Sequence, residues 1–160
     1  MSDRDGTGVG EMKRGESGAR DLPDVIDTES LGKDLAAMLV PGDLVILDGP
    51  LGAGKTALTR GIGAGLGVSG RISSPTFIIA REHRPGPAGG PGLVHVDAYR
   101  LGGLDDLDAL DLDTDLESSV IVVEWGEGVV ERLVEEYLMV RLRRDDDTET
   151  RHVTWEWVNR

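Results

Sequence analysis

Apolar and polar positions along the chain change period several times, and each change marks an element. From Thr28 onward Leu31, Leu35, Met38 and Leu39 fall on one helical face; Asp27 or Thr28 suits the cap, and Pro41-Gly42 the stop. Leu44-Val45-Ile46-Leu47 is a continuous, partly β-branched apolar run, the pattern of a strand buried on both faces. Helical spacing returns at Ala57, Leu58, Ile62 and Leu66, and glycines at 61, 63, 65 and 67 predict a weak end closed by Gly67-Val68-Ser69-Gly70. Beyond it, Phe77-Ile78-Ile79, Leu93–Asp97 and Val120–Val123 read as strands. The first follows the polar turn Ser73-Ser74-Pro75-Thr76, and RPGPAGGPG over 84–92 predicts an exposed loop before the second. Asp105–Glu117 holds seven acids and no base among regularly spaced leucines, which predicts short helices with Leu on the core and carboxylates in solvent. Alternating Tyr137–Leu142 and His152–Trp157, joined by the turn Asp145–Thr148, predict a hairpin with Trp155 and Trp157 packed on one face.

Residues 1–24 break this order. They hold five glycines, mixed charge and few large apolar groups, so they bury too little to offset ordering entropy and are expected to be a disordered tail. Residues 25–160 then form one domain. No apolar run approaches the roughly 20 residues needed to span a bilayer, and there is no signal-type leader and no cysteine, so a cytoplasmic protein is expected. The net charge of −13 works against a large nucleic-acid footprint, although acidity also serves as a solubility device.

The candidate chemistry lies between the first strand and second helix. Gly49-Pro50-Leu51-Gly52-Ala53-Gly54-Lys55-Thr56 has the G-x-x-x-x-G-K-[ST] spacing of a phosphate-binding loop. Glycine lets the backbone turn tightly and approach a polyphosphate, so that N–H groups from Gly49, Gly52, Ala53, Gly54, Lys55, Thr56 and Ala57 can face the anion. The helix dipole and the Lys55 ammonium add positive charge at the same point. Thr56 offers a hydroxyl to the Mg²⁺ that accompanies a nucleotide. Asp97 and Glu124 each end a strand, where a carboxylate at the ligand edge of an α/β sheet can hold a metal or orient an attacking water; each could instead cap the helix that follows. The segment of Thr76 reads either as a switch reaching the outer phosphate or as a hairpin entrance.

With these residues in place the chain resembles the bacterial TsaE (YjeE) proteins, small ATPases needed for threonylcarbamoyladenosine beside the tRNA anticodon. The resemblance rests on the loop, then Ser74-Pro75-Thr76-Phe77, then His95-Val96-Asp97-Ala98-Tyr99-Arg100, then Glu124-Trp125. It implies an α/β fold: a P-loop NTPase-like three-layer sandwich with a mixed central sheet and a C-terminal antiparallel hairpin. It also implies ATP or ADP with Mg²⁺ as ligands, Lys55 and Thr56 serving phosphates and metal, Asp97 and Glu124 serving metal and hydrolysis, and Thr76 and Trp125 beside them. Thr28, in Thr28-Glu29-Ser30-Leu31-Gly32, and the late Arg151 are implied to approach the nucleotide. The implied partner is a TsaD–TsaB complex, with tRNA touched only indirectly. Two readings compete: a nucleotide-dependent interaction module without hydrolysis, and a small-molecule kinase, for which Asp105–Glu117 offers acids where a basic lid is usual. The absence of an N-K-x-D signature favours adenine over guanine.

Overall fold

The apolar run becomes the centre of the sheet. A computed structural model describes residues 12–50, 52–70, 80–97, 117–124 and 134–159. Its elements are β1 (Gly18–Leu22), α1 (Val25–Ala36), β2 (Leu44–Asp48), α2 (Lys55–Leu66), β3 (Ala80–His83), β4 (Gly92–Asp97), β5 (Ser119–Glu124), β6 (Glu136–Arg144) and β7 (Arg151–Asn159). The strands form one seven-stranded mixed sheet in the order β1-β7-β6-β2-β5-β4-β3. The middle four, β6, β2, β5 and β4, are mutually parallel, while β7, β1 and β3 pair antiparallel at the flanks. β2 and β5 have neighbours on both sides and both faces buried, which is why their sequences are apolar without alternation.

On one sheet face, Val45, Leu47, Val120, Val122, Leu138 and Val140 share a core with Leu31 and Leu35 of α1 and Leu58 and Ile62 of α2. On the other face Ile46, Val96, Ile121, Val123 and Met139 form a second buried cluster. The predicted hairpin is β6 and β7, with Trp155 and Trp157 on the helix-bearing face. No described helix is long and apolar enough to cross a membrane.

Four expectations need correction. Gly18–Leu22 is no tail: it pairs with β7, and Arg14 upstream of it grips Asp43 through two hydrogen bonds of 2.7 and 2.6 Å while lying over the Trp157 ring. These partners lie more than twenty residues away, so local composition could not reveal them. α1 starts earlier than Thr28, with Asp24 as cap residue and its N–H donating to Asp27 Oδ2 at 3.0 Å; Thr28 is one turn in and buried. The glycines at 61, 63 and 65 lie within α2 and do not loosen its end, although Gly67 closes it as expected. The helix runs to Leu66 and ends at left-handed Gly67, with Val68 N–H on Gly63 C=O. Gly61 faces α1 so closely that a Cβ would collide with the Glu29 carbonyl, so the small residue sets the interhelical distance. Lastly, Gly92 is not loop but the buried first residue of β4. The expected leucine-and-acid helices of Asp105–Glu117 (all but Glu117), the turn and strand of Ser73–Ile79, and residues 125–133 lie outside the described residues.

Candidate functional site

The parallel strands all deliver their C-terminal ends to one edge. β2 ends at Asp48, and the chain turns through Gly49–Gly54 into α2, whose first residue is Lys55. Gly54 sits at φ +105°, a left-handed conformation that side chains disfavour, and Gly52 at +84° makes the preceding turn. Gly49 and Ala53 are buried, Gly52 is exposed, Thr56 is half-buried in the first turn of α2, and Ala57 packs inward.

Register places the two candidate acids. Leu47 pairs with Glu124 and Glu124 with Asp97, so β2, β5 and β4 present one cross-strand row immediately before the loop. Neighbouring strands lie about 4.8 Å apart, so the two acids are adjacent in that row. Side chains in a row share a face, and Leu47 faces the helices; Asp97 and Glu124 therefore face the side on which α2 begins.

Lys55 joins them electrostatically. Its buried ammonium donates to the Gly49 carbonyl, across the base of the loop. Burial pushes its pKa down, and the charges of Glu124, Asp48 and Asp97 partly restore it. The ammonium thus lies at the base of the loop, its charge disfavoured by burial and favoured by three acids in electrostatic range.

Thr28 and Arg151 come to the same loop from α1 and β7. A Cβ added to Gly54 would lie 3.6 Å from Arg151 Nε and 3.7 Å from Thr28 Cγ2. The Arg151 guanidinium holds Glu149 through its C=O and, at 3.6 Å, its carboxylate, but Nε is buried without an acceptor among the described residues. Thr76 and Trp125 lie outside the described residues.

Sequence reasoning missed two groups. Asp48 ends β2 as Asp97 ends β4, the same signal, and it pairs with Arg141 at 3.1 Å. His95, fully buried on β4, places Nε2 2.6 Å from Glu124 Oε2. Period-two spacing from Asp97 puts His95 on the same face, but only the register shows which acid it meets.

Residues 22–153 match the family model described as threonylcarbamoyl adenosine biosynthesis protein TsaE. The chain belongs to the TsaE family. Relatives named tRNA threonylcarbamoyladenosine biosynthesis protein TsaE include one from Streptomyces coelicolor, 62% identical over 78% of this chain and 86% of its own. One from Mycobacterium tuberculosis is 53% identical over 88% and 87%, and one from Bacillus subtilis 38% identical over 82% and 80%. A crystal structure of Bacillus subtilis YdiB superposes with a TM-score of 0.69 at 31% identity, covering 88% of this chain and 84% of that one. The matched TsaE segment starts at the last residue of β1 and contains the loop, both strand-end acids, His95 and Arg151.

Proposed function

We propose that this TsaE-family protein binds ATP with Mg²⁺ on the Gly49–Thr56 loop and hydrolyses it, in the service of tRNA threonylcarbamoyladenosine formation. The row Leu47–Glu124–Asp97, set two positions before the loop on the face where α2 begins, carries the reading. Two carboxylates beside a lysine and a helix N-terminus supply the complementary parts of nucleotide hydrolysis: cations for the phosphates and acids for metal and water. On this reading the fold is a P-loop NTPase-like three-layer sandwich. The relatives' printed names supply the biological setting.

The residues fit the ligand. Buried Arg151 Nε beside Gly54, without an acceptor among the described residues, has a donor to give a phosphate or ribose oxygen. Lys55, whose charge is disfavoured by burial, gains from an anion in the loop. Thr56, Asp97 and Glu124 give one hydroxyl and two carboxylates, a set suited to a Mg²⁺ that keeps phosphate and water ligands. When bound, the ion neutralises phosphate charge as it develops. Lys55 orients the outer phosphates, Asp97 and Glu124 hold the metal and the attacking water, and Thr28 walls the loop from α1. Thr76 and Trp125 are assigned to the same site through their motifs.

The partner is proposed to be a TsaD–TsaB complex, with tRNA reached only through it; the charge of −13 favours protein contact over direct RNA binding. Calorimetric titration with Mg-ATP tests the division of roles. Lys55→Ala is expected to abolish binding, while Glu124→Ala retains it and loses hydrolysis. Equal loss of binding in both would remove the distinct role of Glu124.

A further inference from the structure

His95 shares its sheet face with Leu47, Leu93, Val120 and Val122 on one side and with Arg81 and His83 of β3 on the other, and a leucine at position 95 would add no buried polar atoms there. The His95–Glu124 pair instead puts an imidazole with no solvent exposure against a carboxylate that is itself nearly buried. A carboxylate only accepts, so the hydrogen between them belongs to His95 Nε2, and Nδ1 is buried with no partner among the described residues. Buried polar groups with an unsatisfied atom cost stability relative to apolar packing, so this pair is weak evidence for a stabilising role.

Its geometric effect is specific. Glu124 has three side-chain torsions, and the 2.6 Å hydrogen bond fixes one of its two oxygens from the neighbouring strand. Resting on the reading of Glu124 as a working acid, we propose that His95 is the positioning residue of that acid. It holds Oε2 in the Nε2–H tautomer and leaves Oε1 as the oxygen for the metal or the attacking water. His95 touches neither; it acts through Glu124, as outer-shell partners of carboxylates and histidines commonly do.

Three measurements on the full-length protein test this. Ring ¹⁵N NMR of the three histidines is expected to show His95 protonated at Nε2, with that proton signal moving in Glu124→Ala; an Nδ1–H tautomer, or no response to Glu124→Ala, overturns the assignment whether or not the protein hydrolyses ATP. Steady-state kinetics are expected to show His95→Leu losing about 10–100-fold in kcat, the usual cost of removing such a partner. KM for ATP should stay within about threefold, because phosphate contacts come from the loop. His95→Gln, which retains an N–H donor, is expected to recover most of the loss. Leucine with wild-type kcat, or leucine and glutamine equally impaired while both remain folded, overturns the proposal. A wild type that binds Mg-ATP without turnover removes the hydrolytic reading alone, and the NMR result still decides the positioning of Glu124.

Discussion

At the scale of single residues, chemistry was legible wherever it depended on spacing along the chain. Gly49–Thr56, Asp97 and Glu124 stand out because a motif or a strand end marks them. Asp48 also ends a strand and His95 opens a quoted motif, but neither was given a role, since their partners come from an ion pair 93 residues apart in sequence and from cross-strand register. Arg151 carries a direct expectation. A hydrogen bond to a charged group contributes about 1.5–3 kcal/mol, so Arg151→Ala should weaken nucleotide binding by roughly tenfold or more, read by titration, with the melting temperature little changed. Unchanged affinity would leave its buried Nε without a ligand role. His152 gives a pH test. Its Nδ1 meets Asp21 Oδ1 at 2.5 Å and its Nε2 meets Asp145 Oδ1 at 2.6 Å, and these two hydrogen bonds raise its pKa above 6.5. Asp145 is lowered below 3.8, first by His152. A raised histidine pKa stabilises the fold below the unfolded value and loses that contribution as pH climbs through the folded one. A lowered carboxylate pKa contributes above its unfolded value. The His152–Asp145 pair therefore counts most between about 3.8 and 6.5. The melting-temperature deficit of His152→Gln should be larger at pH 6 than at pH 9, and a deficit independent of pH would contradict the assignment.

At the scale of elements, periodicity identified α1, β2, α2, β4, β5 and the β6–β7 hairpin, because each buries a regular stripe or a continuous apolar run. It failed for β1, which is short and glycine-bearing and acquires its order from pairing with β7. It also misjudged the glycines of α2, where helix propensity opposes what packing requires: the close approach of α1 at Gly61 outweighs a cost of roughly 1 kcal/mol per glycine. Gly61→Val should therefore destabilise the fold by about 1–3 kcal/mol or more, as overpacking does, seen as a lower urea midpoint at constant slope. Stabilisation by the better helix former would show that α1 and α2 are not held so closely. Because Thr28 reaches the loop from α1, the same variant is also expected to weaken nucleotide binding.

At the scale of the whole molecule, the parallel centre of the sheet brings a turn, a lysine and two acids to one edge, while the antiparallel strands β7 and β1 bring Arg151 and an N-terminal anchor to its flank. The net charge of −13 agrees with the proposal that the protein works on a protein partner. The central claim is that this site hydrolyses ATP and does so in concert with that partner. It is tested most directly by ATP hydrolysis of the purified protein, alone and then with a TsaD–TsaB complex, using Glu124→Ala as the blank. Hydrolysis that rises with the complex and disappears in Glu124→Ala is the expected result. Tight Mg-ATP binding with no hydrolysis above the blank in either setting would contradict it, and would make the protein a nucleotide-dependent interaction module.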